Sequence, residues 1–147
     1  MTRHIGFGIV AAAALVALAG CAIDAPSPVS DSEARERFVA LLDETQAVVG
    51  GAWLVQDDPT PRECTVPLWA PGERYPALRL ADAPASLELT ADRVESAWRE
   101  HALTVTRTEI GEVVELKGES PDGELLLFRV SDSAMTLTGE SECRPLE

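Results

Sequence analysis

Hydrophobic positions follow three different patterns along this chain. Residues 5–20 form an apolar run without a charge, residues 34–49 repeat apolar positions at helical spacing, and residues 104–141 alternate apolar with polar positions. The uncharged run suits a signal segment, because a membrane-spanning helix needs about twenty residues. Helical repeats predict an amphipathic helix, and alternation predicts half-buried strands. The chain therefore combines an N-terminal address segment with a region of mixed helix and strand.

Two helices are predicted in that region. Ser30 and Glu33 have the spacing of a capping box at the start of the first helix, and Gly50-Gly51 ends it. Thr90 is the predicted N-cap of the second helix, which runs to about residue 101. The side chains expected on its buried side are Val94, Ala97, Trp98 and His101.

The predicted strands lie mainly after the second helix. They cover residues 52–56, 75–81, 104–110, 113–120, 124–130 and 134–141. Pro76 restricts the second of these to a sheet edge or to a strand start. Three short turns join the last four strands, which predicts an antiparallel meander. Residues 57–74 contain repeated prolines and are predicted to be irregular.

Together these elements predict an α+β fold. Two amphipathic helices would pack on one face of an antiparallel sheet that ends in a four-strand meander. Placing both helices on the same face is the simplest way to bury the apolar side of the strands.

The apolar run ends in Leu18-Ala19-Gly20-Cys21, a motif that resembles the lipobox of bacterial lipoproteins. The resemblance implies that the Cys21 thiol is diacylglycerol-modified and that cleavage leaves Cys21 as the new N-terminus. It predicts a signal peptide over residues 1–20, a lipidated cysteine and flexible tether over 21–30, and a single domain over 31–147. The lipid would hold this domain on the extracytoplasmic face of the cell membrane. The alternatives are a secreted protein with Cys21 in a disulfide and an uncleaved signal anchor.

Lipidation of Cys21 leaves Cys64 and Cys143 as an even pair. Disulfides form and persist outside the cytoplasm, so we expect one disulfide between these two residues. It would join the irregular segment to the end of the last predicted strand.

The charge balance excludes one class of partner. The chain has 12 Lys and Arg against 25 Asp and Glu, a formal net charge of −13. Removing residues 1–20 takes away one arginine and no acid, so the remainder carries −14. Nucleic-acid binding rests on phosphate neutralisation by basic residues, so no nucleic-acid partner is expected. The acidity is typical of a soluble surface.

The sequence contains no motif typical of an enzyme. His101 is the one histidine after residue 20, so a zinc or copper site of the Cys/His type is not expected, and no cofactor is predicted. Gly-x-Ser-x-Gly and Ser-x-x-Lys motifs, calcium loops and phosphate-binding glycine loops do not occur in the sequence. Asp57 and Asp58 precede Pro59, a pattern typical of a turn rather than of a catalytic pair.

Two aromatic residues are candidates for ligand contact. Trp69 and Tyr75 flank Pro71-Gly72 in the segment predicted to be irregular. An aromatic side chain on a loop clipped by a disulfide can anchor a binding partner. The alternative for Trp69 is that it covers the core beside the disulfide, since large aromatic side chains are mostly buried.

Beyond the lipobox, the chain resembles small uncharacterised lipoproteins of actinobacteria. The residues that carry this resemblance are Gly51-x-Trp53, Asp57-Asp58-Pro59-Thr60-Pro61, Cys64, Thr104-Val105-Thr106 and Cys143. The resemblance implies no catalytic residue. The function we expect is a membrane-anchored, non-catalytic module that binds an envelope protein or a partner on the peptidoglycan side. The alternatives are a small-ligand carrier with a cavity between helices and sheet, and a carboxylate-based envelope hydrolase.

Overall fold

The computed structural model describes residues 29–66 and 70–146, which form two helices and nine strands. The elements are α1 (Asp31–Val49), β1 (Trp53–Val55), β2 (Arg62–Val66), β3 (Ala70–Arg74), β4 (Pro76–Asp82), α2 (Leu87–Glu100), β5 (Thr104–Ile110), β6 (Val113–Glu119), β7 (Leu125–Val130), β8 (Ala134–Glu140) and β9 (Arg144–Pro145).

The predicted α+β fold is confirmed. Six antiparallel strands form the main sheet in the order β1-β4-β8-β7-β6-β5, and a smaller sheet has the order β2-β3-β9. The predicted meander corresponds to the run from β5 to β8, in which each strand pairs with the next. Side chains of both helices join one core cluster with the residues of the main sheet.

The first helix begins where the sequence predicts, but only half of the capping box forms. The Ser30 hydroxyl accepts a hydrogen bond from the Glu33 N–H at 3.2 Å. The Glu33 carboxylate instead accepts from Arg37, one turn later, at 2.6 Å. This ion pair uses the carboxylate that a complete box would turn back toward the N-cap.

The prediction that Thr90 caps the second helix is wrong. Ser86 is the N-cap, and its hydroxyl accepts from the Leu89 N–H. Thr90 lies in the first turn and donates its hydroxyl hydrogen to the Ser86 carbonyl oxygen at 2.8 Å. At the other end His101 is the C-cap and is exposed, so it does not belong to the buried side of the helix.

The prediction that residues 57–74 are irregular is also wrong, because this segment contains β2 and β3. These strands pair with each other, and β3 pairs with the short β9. Most of their side chains are partly or fully exposed, so they carry no alternation of apolar and polar residues that a sequence pattern could reveal.

Pro76 is the first residue of β4. Of the two positions that the sequence allowed, a sheet edge or a strand start, the structure has the strand start. The strand lies between β1 and β8 and is therefore not at an edge of the sheet. Tyr75, directly before it, is held by Ser141, whose N–H donates to the Tyr75 carbonyl oxygen and whose hydroxyl accepts from the Tyr75 N–H, both at 2.9 Å. These bonds continue the pairing of β4 with β8 toward the small sheet.

The space between the helices and the main sheet is filled by side chains. Trp98 of α2 is fully buried and donates its indole N–H to the Thr45 hydroxyl of α1 at 2.9 Å. Gly118 lets α2 approach the sheet closely, because a Cβ at this position would lie 2.7 Å from the Trp98 ring. A Cβ at Gly139 would lie 2.6 Å from the Leu125 carbonyl oxygen of β7 and 3.0 Å from the Phe38 ring of α1.

Gly118→Ala is expected to lower the free energy of unfolding by about 1–3 kcal/mol, because the added methyl group overpacks against Trp98. Chemical denaturation would measure the loss. The same change in a Trp98→Leu background is expected to cost less, since the ring no longer occupies that space. Equal costs in both backgrounds would contradict this account of the packing.

On the side of the main sheet that faces the helices, a row of three apolar residues has an arginine at each end. Strand pairing places these residues side by side across the sheet in the order Arg79, Leu137, Phe128, Leu116 and Arg107. Each arginine reaches acids on the helix above it, Arg79 on α1 and Arg107 on α2. The two ion-pair groups therefore fix both helices over the sheet.

The disulfide between Cys64 and Cys143 is present, as the sequence predicts. It joins β2 to the residue directly before β9, and the Cα atoms are 6.0 Å apart. Gly72 of β3 pairs with Cys64, and a Cβ on Gly72 would lie 2.9 Å from the Cys143 sulfur. The disulfide therefore crosses β3 at a position that has no room for a side chain.

Candidate functional site

A cleft of about 360 Å³ lies beside α1, the end of α2, the turn between β6 and β7, and the residues after β8. Its floor includes Ala34, Leu41 and Leu103. The ionisable side chains that line it are Arg37, Glu44, His101, Asp122, Glu124 and Glu142. Four carboxylates line this cleft, against one arginine and one histidine. It is therefore more acidic than the cleft beside Gly50-Gly51 and the cleft beside Tyr75.

Glu124 is held in the cleft by the turn between β6 and β7. The Ser120 hydroxyl accepts from the Glu124 N–H, and the Ser120 N–H donates to the Glu124 carbonyl oxygen, both at 3.0 Å. Gly123, with φ of 89°, supplies the left-handed residue that this turn requires. Pro121-Asp122-Gly123 is thus the turn that the sequence predicts, and its geometry fixes the backbone of Glu124.

Burial, together with the negative charges of Glu142 and Asp122, raises the pKa of Glu124 to about 7, well above the usual value of a glutamate. Burial is the largest of these causes, and His101 opposes them. A carboxyl group with this pKa exchanges a proton near neutral pH, as general acids and bases do.

His101 reaches the cleft because of the way α2 ends. Ala102 adopts a φ of 60°, and the Leu103 N–H then bonds to the Trp98 carbonyl oxygen at 3.0 Å. This is a Schellman-type ending, in which the residue after the left-handed position packs back against the helix. The His101 Nε2 atom lies 2.9 Å from a Glu44 carboxylate oxygen, so the imidazole links α1 to α2.

Glu142 forms a buried ion pair at the inner side of the cleft. Its side chain is 8% exposed, and its Oε1 atom is 2.5 Å from a guanidinium nitrogen of Arg144. Both residues follow β8 and flank Cys143, so the disulfide and the ion pair fix the same short segment. The negative charge of Glu142 is therefore held close to Glu124.

Glu124→Gln is expected to stabilise the protein more at pH 8 than at pH 5. The folded-state pKa of Glu124 lies above the value of an exposed glutamate, so the stability of the wild type is complete at low pH, where the carboxyl is neutral. Part of this stability is lost as the pH rises through about 7 and the carboxyl becomes charged, whereas glutamine stays neutral. Because Glu124 is partly exposed, solvent reduces the effect to about 1–2 kcal/mol.

Unfolding free energies of Glu124→Gln and wild type at several pH values would measure this effect. Subtracting one from the other cancels the titration of the remaining acids. Arg37, Glu44, His101, Asp122 and Glu142 face the same cleft and are unchanged in both proteins. A difference that stays constant between pH 5 and pH 8 would contradict the assignment.

The structure brings few of the residues predicted from sequence into this cleft. Cys21 and Trp69 lie outside the described residues, so the lipidation site and the first aromatic candidate stay predictions. Cys64 and Cys143 form the disulfide about the small sheet. Of the residues considered in the sequence for chemistry, His101 lines the cleft.

Tyr75, the second aromatic candidate, lies between β3 and β4 and contacts the start of α1. Its hydroxyl donates to an Asp31 carboxylate oxygen at 2.9 Å, and this bond, with burial, raises the pKa of Tyr75. The Arg35 guanidinium lies 4.7 Å from the ring centroid. The ring and the hydroxyl thus hold the first turns of α1, and a binding role for Tyr75 stays a prediction.

Other clefts of the described chain are less charged. One, of about 480 Å³, is lined by the Gly50-Gly51 end of α1 and the loop before α2. Another, of about 440 Å³, lies beside Tyr75 and α1. Within residues 29–66 and 70–146, no three histidine, cysteine or acidic side chains are grouped so that they could hold a metal ion. Neither helix of this part is long and apolar enough to cross a membrane.

Comparison with known proteins adds information on the fold. No protein-family model matches this sequence, and no curated protein matches it. The crystal structure of a DUF4853 family protein from Actinomyces odontolyticus is similar, with a TM-score of 0.59 and 21% sequence identity. The match covers 83% of this chain and 72% of that chain. The likeness supports the α+β architecture and carries no activity with it.

Proposed function

We propose that this chain is a lipid-anchored interaction domain displayed on the extracytoplasmic face of the cell membrane. The observation that carries the proposal is the cysteine arrangement. The sequence has three cysteines, and two of them, Cys64 and Cys143, are bonded to each other. A disulfide suits an oxidising compartment outside the cytoplasm, and it leaves Cys21 of the lipobox as the remaining thiol.

The filled core supports binding at the surface rather than transport of a small ligand inside. Phe38, Leu42 and Trp98 from the helices and Leu116 and Phe128 from the sheet are each at most 1% exposed. At Gly118, α2 lies too close to the sheet for an added Cβ. A carrier with a cavity between helices and sheet therefore gains no support from this packing.

Metabolic labelling with a fatty-acid analogue tests the anchor. Wild-type protein is expected to carry the label, and Cys21→Ala is expected to lose it. A Cys64→Ala/Cys143→Ala variant serves as the matched control, because it removes two cysteines and keeps the lipobox. Label retained in Cys21→Ala, or missing from the wild type, would contradict the proposal.

A second candidate function is a carboxylate-based hydrolase, favoured by one observation. Glu124 has a pKa of about 7 and lies in an acidic cleft beside Glu142, as a general acid does in glycoside hydrolysis. The test is release of soluble fragments from isolated cell-wall glycan by the purified protein. Activity that Glu124→Gln abolishes would support the hydrolase and overturn the non-catalytic proposal.

A further inference from the structure

The strand β5 forms one edge of the main sheet along all seven of its residues. It pairs with β6 on one side, and no other strand of residues 29–66 and 70–146 pairs with its outer side. Its sequence is rich in β-branched residues, contains no proline, and has two charged residues, Arg107 and Glu109. Ile110 at its end is 58% exposed.

The opposite edge of the sheet is much shorter than β5. That edge is β1, which has three residues. After it the chain stays beside β4, where the Gln56 N–H donates to the Leu78 carbonyl oxygen and Asp57 accepts from the Leu78 N–H. The difference shows that the sheet leaves one long edge open rather than two.

The hairpin between β5 and β6 decides which backbone groups point outward. A two-residue turn, Gly111 and Glu112, joins Ile110 to Val113, and Gly111 has the φ of 64° that such a turn requires. Ile110 and Val113 flank this turn and form a hydrogen-bonded pair, so the next pair along the ladder, Glu109 with Val114, is not hydrogen-bonded. From Glu109 back along β5, every second residue therefore points its backbone N–H and C=O away from β6. These residues are Val105, Arg107 and Glu109.

Charge selects the kind of partner that fits this edge. Arg107 is already held by α2, with Asp92 at 2.7 Å and a further ion pair to Glu88. Within the described residues, Glu109 and Glu112 form no ion pair with a basic side chain. An added strand therefore meets unneutralised acids at the end of β5 and the exposed acidic flank of α2. The net charge of −13 favours the approach of a basic segment to the protein as a whole.

A second copy of this chain fits less well than a basic peptide. Pairing two β5 strands would place the two α2 helices side by side over the joined sheet. Their facing flanks carry the exposed acids Glu88 and Asp92, which would repel each other. An extended peptide brings no helix and adds opposite charge.

We propose that β5 binds an extended, basic protein segment as an added strand, through the outward N–H and C=O groups of Val105, Arg107 and Glu109. This proposal rests on the interaction role proposed above and gives it a surface and a partner chemistry. Backbone hydrogen bonds supply affinity in such strand addition, and alternate side chains supply selectivity. The lysine or arginine side chains of the segment would face Glu109 and the acids of α2.

Two variants of Glu109 separate strand addition from simple charge attraction. Glu109→Pro removes the charge and one outward N–H, and Glu109→Ala removes the charge alone. Because this N–H is not used in the pairing with β6, both variants are expected to melt at the wild-type temperature. The probe is a nine-residue peptide that alternates lysine with valine, compared with the peptide that has glutamate in place of lysine.

With the full-length protein, the lysine peptide is expected to slow hydrogen exchange of the Val105 and Arg107 amides at least tenfold. Glu109→Pro is expected to weaken binding at least tenfold, and Glu109→Ala less than threefold. Equal weakening by the two variants, or no binding of the lysine peptide at millimolar concentration, would overturn the proposal. Self-association that Glu109→Pro abolishes would make a second copy the occupant instead. Each of these results leaves the labelling test of Cys21 unaffected.

Discussion

Replacing Cys64 and Cys143 together by alanine is expected to lower the free energy of unfolding by roughly 3–4.5 kcal/mol. The disulfide closes a loop with a sequence separation of 79 residues, and closing so long a loop restricts the unfolded chain strongly. The whole stability of a domain of this size is roughly 5–15 kcal/mol, so the loss is a large fraction of it.

The loss should also have a location in the structure. The disulfide attaches β2 to the residue before β9, and the small sheet has few buried side chains of its own. Hydrogen exchange is therefore expected to become faster in β2 and β3 before it does in the main sheet. Cys21→Ala is the matched control and is expected to leave stability unchanged. A loss below about 1 kcal/mol for the double variant would contradict this account.

Asp57→Ala is expected to lower the free energy of unfolding by about 3–5 kcal/mol, because it removes one of the two carboxylates that pair with a buried arginine. Arg79 is 2% exposed, and its Nε and Nη2 atoms donate to Asp57 at 3.1 and 2.8 Å. Asp43 and Gln46 of α1 accept from its Nη1 atom, both at 2.6 Å. Asp57 and Asp43 thus neutralise together the charge that connects α1 to the sheet.

The neighbouring acid provides the control for Asp57→Ala. Asp58 is exposed, and its carboxylate accepts a hydrogen bond from the Thr60 N–H, which lowers the pKa of Asp58. Asp58→Ala is expected to cost less than 1 kcal/mol, since only a surface turn is affected. Denaturant unfolding of both variants tests the contrast. Equal costs would show that the buried arginine does not depend on Asp57.

A double variant tests whether Asp57 and Arg79 act as one unit. Arg79→Met with Asp57→Ala removes both charges and is expected to cost less than the sum of the single changes. Additive costs would contradict the direct coupling between the two side chains.

Periodicity was sufficient to predict the main elements of the fold. A regular apolar repeat and a local start or stop signal occur together in the first helix and in the meander from β5 to β8. The turn before Glu124 supplies one of these stop signals. These elements bury one side of each helix or strand, so their sequence shows which residues belong together.

In β4 the hydrophobic pattern and the structure disagree about which side is buried. Alternation in Leu78-Arg79-Leu80 would place the leucines toward the core. The structure instead buries Arg79 and leaves Leu78 and Leu80 partly exposed on the other face. The pairing with acids from a distant helix makes this possible, and a pattern within one strand contains no information about such partners.

The cleft around Glu124 could be predicted only in part. Leu126, Phe128 and Val130 alternate on the buried face of β7, and one further step back along the chain reaches Glu124. That phase indicates an inward-facing acid. No sequence signal brings Glu142 and His101 to it, because they come from the segment after β8 and the end of α2.

Mass spectrometry of the N-terminal peptide, from protein made in its own host, tests the central claim most directly. The proposed lipid-anchored domain requires that the chain begin at Cys21 and that this residue carry the added mass of diacylglycerol. A peptide that still contains residues 1–20, or a mature Cys21 with an unmodified sulfur, would contradict it.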